Sequence, residues 1–359
     1  MDAPNSSRSP FLRVTSIALV VLGLAFMNPS VTLAAQAPSA PPAKQPDKKA
    51  GAADSRIDTE KLFGAIVKVS AVAIANARSA ATLGHERQGS GVVIGDNGLV
   101  LTIGYLIVEA DDVKITDAQG RTLPATVVGY DHASGLGLVR SVVPLKAAPI
   151  PLGDSSRIAE HDPVLIANSG DDGAAFAWVV SKRLFTGSWE YQLDDAIYTS
   201  PPTMNWSGAA LIDRDGKLVG IGSLIVREAT DSDPKVPGNV FVPIDLLKPI
   251  LADLVKSGHR SGPARPWLGV SADEVQGRLL VTRVSPESPA DQAGMQVGDI
   301  ILGVAGDTVH TQAEFYKKIW ARGKAGDEIP LKVLQGVDVK DINVRSIDRT
   351  EYFRPKPTY

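Results

Sequence analysis

Ser207 has the surroundings of a residue that could do chemistry. It stands in the run from Tyr198 to Gly220, YTSPPTMNWSGAALIDRDGKLVG, on a small-residue turn between a strand-like segment and an apolar strand at Leu211 and Ile212. Asp215 and Gly216 give a tight-turn signal, and Leu218 to Ile221 read as the return strand of a hairpin. Small residues after an exposed serine let a substrate backbone approach closely. They also let main-chain N–H groups converge on one point, as acyl transfer requires. A serine nucleophile further needs an imidazole to take its proton and a carboxylate to hold that imidazole in the right tautomer. Without those partners the run is an ordinary hairpin.

The elements around this turn are short strands. Ile66 to Ile74, Gly89 to Ile94, Leu99 to Ile103, Val113 to Ile115, Ala125 to Val128 and Leu136 to Val139 form one set. Pro163 to Ala167, Ala177 to Val180, Ala196 to Thr199, Ala209 to Ile212, Leu218 to Ile221 and Val240 to Val242 form a second. Close spacing with turn residues between, and no long amphipathic helix, predicts two similar all-β halves, each an antiparallel barrel or sandwich. Ile244 to Lys256 then has apolar residues at helical spacing, with Gly258 as its stop. Gly262 to Pro266 is a short hinge. Beyond it lie the strand GRLLVTRV, a helix from Gln312 to Ala321 opened by the capping pair Thr311 and Glu314, and paired strands around Ile329 to Leu334 and Asp341 to Val344. On that helix Ala313, Tyr316 and Trp320, or Phe315 and Ile319, line one face.

Composition bounds the reading. The chain has 359 residues, 44% of them hydrophobic and 21% charged, which suits a globular protein of two or more domains. A formal net charge of -3 and a pI near 6.0 give no electrostatic footprint for nucleic acid. There are no cysteines, so disulfides, thiolate metal sites and cysteine nucleophiles are excluded. No cluster of ligands points to a metal, and no cofactor is expected. Arg8 and Arg13 precede an apolar run from Val14 to Phe26, with small residues at Ala34, Ala35 and Ala37, the pattern of a secretory signal over residues 1–37. An uncleaved anchor in the inner membrane is the alternative. Residues 38–58, rich in Pro, Ala and Lys, read as a disordered linker.

The segments GSGVVIGDNGLVLT, ADDVKI, ATVVGYD, LGLVR, PLGDSSRI, NWSGAALIDRDGKLVGI and GNVFVPID resemble, in order and spacing, the trypsin-like protease domain of the HtrA/Deg family. The region that follows resembles that family's PDZ domain. The resemblance covers about residues 60 to 348. It implies a mainly β protein with a trypsin-like double β-barrel over 59–258 and a PDZ domain over 264–348.

The chemistry departs from the family. Where members carry the histidine in a stretch like LTNNHVV, this chain reads LTIGYLIVEAD, placing Tyr105 at the histidine position. The aspartate frame reads VVGYDHASGLGLVR and places Gly135 at the aspartate position. The serine motif, GNSGGPL in the family, is NWSGAAL here. Ser207 and Gly208 are kept, while Asn205 falls where a glycine N–H would complete the oxyanion hole with that of Ser207. Loss of one triad member leaves only the residual ~10³ to 10⁴-fold catalysis of the binding site and oxyanion hole, and here two are missing. A phenol titrates near ~10 and is a poor base at neutral pH, so Ser207 is expected to be a remnant nucleophile.

Substitutes come from the five histidines, His85, His132, His161, His259 and His310. His132, beside Asp131 and three residues before Gly135, is the nearest by sequence, as a relocated pair or as a surface turn histidine. His85 falls in a polar loop. Lys182 and Lys217 are candidates for a serine-lysine dyad, or solvated strand ends.

In PDZ domains an extended peptide adds as a strand, and loop N–H groups hold its terminal carboxylate. The matching segment is Trp267, Leu268, Gly269 and Val270, with Phe315 and Ile319 either as the opposite wall or as core packing. Arg265 is either an added charge for a carboxylate or an exposed linker arginine.

The expected function is therefore peptide or unfolded-protein binding in the periplasm, or outside the cell, by a protein whose protease domain is inactive. Alternatives are an active serine endopeptidase with an unconventional base, and a regulatory subunit of an active paralogue. The resemblance also implies oligomers, as homo- or hetero-trimers. Membrane association is expected only if the N-terminal segment is retained.

Overall fold

The computed structural model describes residues 58–354. The expected signal peptide and all but the last residue of the expected linker lie outside them. A short helix α1 (Thr59–Gly64), capped by the Asp58 side chain accepting from the Lys61 N–H, leads into the first barrel. Its strands are β1 (Ile66–Ala73), β2 (Glu86–Gly95), β3 (Leu99–Ile103), β4 (Ala110–Thr116), β5 (Thr122–Tyr130) and β6 (Leu136–Ser141), with α2 (Ala80–Leu83) between β1 and β2. They close in the order β1-β2-β3-β6-β5-β4.

The second barrel comprises β7 (Pro163–Ala167), β8 (Ala174–Gly187), β9 (Tyr191–Ser200), β10 (Ala210–Ile212), β11 (Leu218–Val226) and β12 (Gly238–Pro243), in the order β10-β11-β12-β9-β8-β7. Counted from its own first strand, this is the order of the first barrel. The two expected halves are thus one six-stranded unit used twice. Closure removes the open edges that a sandwich would leave, which suits strands this short.

Burial explains where the site lies. β3 and β12 bury every residue, and a continuous apolar cluster runs from Leu101, Ile103 and Leu138 of the first barrel to Leu218, Ile221 and Val242 of the second. At ~1.5–3 kcal/mol for each large side chain enclosed, this seam holds the barrels together and fixes the cleft between them. Ser207 and Tyr105 sit on opposite sides of that cleft.

The helix predicted over Ile244 to Lys256 is shorter than its periodicity suggests. A single 3₁₀ turn, Ile244–Leu246, is followed by α3 (Leu251–Ser257). Pro249 lacks an N–H and keeps the two from joining. Gly258 ends α3 at φ +81°, as expected.

After the hinge come β13 (Val270–Val275), β14 (Arg278–Val284), α4 (Pro289–Gln292), β15 (Ile300–Val304), β16 (Asp307–Thr308), α5 (Gln312–Ala321), β17 (Glu328–Gln335) and β18 (Asp338–Arg345). The sheet runs β13-β14-β15-β17-β18, with β16 on β15. Thr311 caps α5 by accepting from the Glu314 N–H, and Phe315, Tyr316 and Ile319 all face the core.

A last turn, α6 (Arg349–Tyr352), carries the chain back to the first barrel. There Arg78 donates to the Tyr352 carbonyl at 2.8 Å, and the Arg354 N–H donates to Glu109 at 2.9 Å. Among the described residues no helix is long and apolar enough to cross a membrane.

Candidate functional site

The Ser207 turn is built by close packing. The Ser90 N–H donates to the Ser207 carbonyl at 2.8 Å, and Gly208 bonds the Gly222 carbonyl at 2.9 Å. Gly208 has φ +71°, and a Cβ there would collide with the Ser90 carbonyl, so glycine is required. The serine faces an open polar cleft of about 670 Å³, lined in part by Gln88, Ser169, Asp172 and Asn205.

Opposite lies Tyr105, on a 3₁₀ turn (Gly104–Leu106) directly after β3. Its hydroxyl is 2.9 Å from Ser207 Oγ and 2.9 Å from the Ser223 carbonyl oxygen. A carbonyl can only accept, so the single phenol proton is drawn to Ser223, and the Ser207 hydroxyl is left to donate to the phenol oxygen. Burial pushes the Tyr105 phenol up to about 12. At neutral pH the phenolate fraction is then about 10⁻⁵, too small for a working base.

Gly135 adopts φ +77°, and a Cβ added there would come within 2.9 Å of the Tyr191 hydroxyl. That hydroxyl donates to the Ser134 carbonyl at 2.6 Å. Space that a carboxylate side chain at this position would need is thus held by Tyr191, a residue no motif singles out.

Of the two N–H groups expected to form an oxyanion hole, that of Asn205 has a partner within its own turn. The Asn205 N–H donates to Thr203 Oγ1 at 3.2 Å, in a local turn that diverts it from the cleft, and the Asn205 side chain donates to Asp172 at 2.6 Å. A tetrahedral oxyanion would lack this member of the N–H pair.

His132 does not form the relocated pair with Asp131. Asp131 is held by Arg260 through two bonds of 2.9 and 2.8 Å, and also accepts from the Ser134 N–H. His132 is not its partner; it sits half-buried in the turn after β5. Its Nε2 lies 2.7 Å from the Tyr130 hydroxyl, and its ring stacks on Phe353 at 5.3 Å. Burial, with Arg349 nearby, lowers its pKa well below 6.5. His85 is exposed, Lys182 donates to the Ser155 carbonyl at 3.0 Å, and Lys217 is exposed on its hairpin. Among the described residues, which include all five histidines, no imidazole is hydrogen-bonded to Ser207, and no cluster of three His, Asp or Glu could hold a metal.

The loop before β13 does converge on a carboxylate, and the carboxylate belongs to this chain. Glu190, in the turn between β8 and β9, accepts from the N–H groups of Leu268 at 3.0 Å, Gly269 at 2.7 Å and Val270 at 2.9 Å. It is 7% exposed. Burial pushes its pKa up, while the three N–H groups pull against that rise.

Phe315 and Ile319 are fully enclosed in the core, because α5 packs onto the β13 side of the sheet and against the β8–β9 turn. Trp267 points elsewhere: its backbone pairs with Ile347 and its ring packs on Tyr352 at 4.7 Å. Arg265 lies over the Trp320 ring at 4.5 Å, exposed at its rim.

Residues 89–221 match the trypsin-like peptidase domain, and residues 266–345 match the PDZ domain. Over 275 residues the chain is 29% identical to the probable periplasmic serine protease Do/HhoA-like of Haemophilus influenzae, covering 72% of this chain and 57% of that protein. The chain belongs to the HtrA/Deg family. A second HtrA/Deg relative, the chloroplastic Protease Do-like 1 of Arabidopsis thaliana, is 29% identical over 282 residues, covering 71% of this chain and 62% of its own length. The chain therefore spans about three fifths of the length of these curated relatives. A solved structure titled HtrA-type protease AlgW with decapeptide shares the fold at a TM-score of 0.50 and 19% identity, covering 85% of this chain and 100% of that one. The HtrA/Deg frame found Ser207, Tyr105 and Gly135. It carried no signal for Tyr191, Ser223 or Glu190, which no single residue pattern marks and which only the folded seam brings into place.

Proposed function

We propose that this is a periplasmic HtrA/Deg-like protein whose protease-like unit, residues 59–258, is proteolytically silent, and whose PDZ unit, residues 264–348, binds carboxyl-terminal or exposed segments of other envelope proteins. The observation that carries this reading is the contact between the Tyr105 phenol and Ser207, with no imidazole bonded to that serine among the described residues. The engaged Asn205 N–H supports it. Bacterial relatives named as probable periplasmic serine proteases support the compartment.

Incubation with an unfolded casein-like substrate and with a serine-directed fluorophosphonate probe tests the silent barrel. No cleavage above background and no labelling of Ser207 are expected. Robust cleavage lost in Ser207→Ala overturns the reading.

A second reading, an active endopeptidase, is favoured by the open cleft at Ser207 and by relatives named as serine endoproteases. It requires labelling of Ser207 by the probe and casein cleavage that is lost in Ser207→Ala.

A further inference from the structure

The turn between β8 and β9 occupies the PDZ unit as an extended peptide would. Glu190 places its carboxylate on the N–H groups of Leu268, Gly269 and Val270, the three donors that would hold a peptide's terminal carboxylate. Two residues earlier, the Ser188 carbonyl accepts from the Ala272 N–H of β13 at 3.2 Å, which is the main-chain contact of an added strand. From the facing helix, Tyr316 donates its hydroxyl to the Gly187 carbonyl at 3.0 Å, and its oxygen accepts from the Glu190 N–H at 3.1 Å. The segment is therefore gripped from both sides of the groove, by β13 and by α5.

Glu190 pays no part in the barrel's own hydrogen bonding through its side chain: both carboxylate oxygens are directed at the loop. It also holds φ +55°, a left-handed conformation rare for a residue with a Cβ. Such a conformation persists where the surroundings impose it. Here the surroundings are the carboxylate loop and Tyr316.

We propose that the segment Gly187–Glu190 is an internal ligand of the PDZ unit, with the Glu190 carboxylate standing in for a terminal carboxylate, so that a peptide with a free carboxyl end binds only by displacing it. This rests on the reading of the PDZ unit as a peptide receptor and adds its regulation. The partner it admits is one able to compete at the same three N–H groups, which requires an anionic end. An internal segment that offers only apolar side chains does not replace Glu190. When the competent state is a minor fraction of the population, apparent affinity is reduced by that fraction.

The test uses the full chain, as wild type, Glu190→Gln and Glu190→Ala. Each is titrated with fluorescein-labelled decapeptides that end in Val, Leu, Phe or Ala, as free acids and as carboxyl-terminal amides, and followed by anisotropy. Melting curves establish that each variant is folded, and Glu190→Gln, which keeps the side-chain volume, serves if the alanine variant is not. If the closed state is populated tenfold over the open one, Kd for the best free acid tightens by about 10-fold in the variants, and the amides show no such gain. Equal affinity in wild type and variants overturns the internal ligand while leaving peptide binding intact.

If no peptide binds any form, amide hydrogen exchange over 267–272 decides. Protection in wild type that is lost in Glu190→Gln upholds the internal ligand and removes the receptor reading. Unchanged protection removes the internal ligand.

Discussion

Replacing Tyr105 by phenylalanine separates a structural phenol from a catalytic one. The hydroxyl makes two contacts, each at 2.9 Å, to Ser207 Oγ and to the carbonyl of Ser223, a residue 5% exposed. Because that carbonyl only accepts, its bond is the one that takes the phenol proton, and its loss leaves a buried acceptor without this donor. Such a loss costs ~1–3 kcal/mol. In a folded unit of this size that corresponds to a fall in Tm of roughly 2 °C per kcal/mol, so about 2–6 °C. Ser207→Ala removes only the hydroxyl that donates to the phenol from the open cleft, and should cost less than ~1 kcal/mol. Differential scanning calorimetry of the two variants gives the order directly. Tyr105→Phe is expected to melt lower than Ser207→Ala, and with the barrel silent as proposed, neither is expected to change the rate of hydrolysis. Equal melting shifts would show that the phenol proton goes to Ser207. Hydrolysis present in wild type and lost in Tyr105→Phe would refute the reasoning outright, since it would make the phenol the base.

Other outcomes follow from the same geometry. The double variant Tyr105→His with Gly135→Asp should not gain hydrolysis, and should melt lower than wild type, because a Cβ at position 135 lies 2.9 Å from the Tyr191 hydroxyl at φ +77°; casein cleavage by this variant would contradict the assignment. His132 has a folded pKa well below 6.5, so the unfolded chain takes up a proton that the folded one refuses. Its contribution is intact above about 6.5 and is lost as pH falls toward the folded value, by up to about 1.4 kcal/mol per pH unit. Urea midpoints between pH 7 and 5 should therefore fall less steeply in His132→Gln than in wild type. Thr311→Ala removes the cap of α5 and should cost ~1 kcal/mol, read as a lower urea midpoint, whereas Thr311→Ser should cost less.

Most of the fold was legible because its signals are local. Apolar runs of strand length between glycine and asparagine turns located all twelve barrel strands, and Thr311 with Glu314 located the start of α5. Pro249 was the local signal passed over at Ile244 to Lys256, where apolar spacing continues through a residue that cannot continue the hydrogen bonds. The site was legible only in part. Tyr105, Gly135 and Ser207 stand in frames whose flanks align, so their positions could be named. What occupies the space around them comes from residues 56 to 118 positions away, such as Tyr191 against Ser134 and Gly135, and Ser223 against Tyr105. Asn205 could be placed at the oxyanion position, but the direction of its N–H depends on Thr203 Oγ1, a contact that residue types do not announce. For the PDZ loop, Leu268, Gly269 and Val270 were identified as carboxylate donors, and the acceptor lay 78 to 80 residues earlier, in a turn of the second barrel.

Glu190 and Tyr191 are successive residues, and their side chains serve the two sites that the family frame implies. Glu190 reaches the carboxylate loop of the PDZ unit, and Tyr191 reaches the Ser134 carbonyl beside the vacant aspartate position. Trp189 stacks on Tyr191 with ring centroids 5.8 Å apart, and its carbonyl accepts from Arg349 at 3.4 Å, tying the same turn to α6. A left-handed residue at 190 is what turns one side chain toward the PDZ loop while the next returns to the barrel, at a backbone cost of order 1–2 kcal/mol. The three N–H bonds to the Glu190 carboxylate hold that conformation in place. A single β8–β9 connection thus fills the PDZ loop and the aspartate space together, so restoring a carboxylate at position 135 would require rebuilding the turn that also holds the PDZ unit closed.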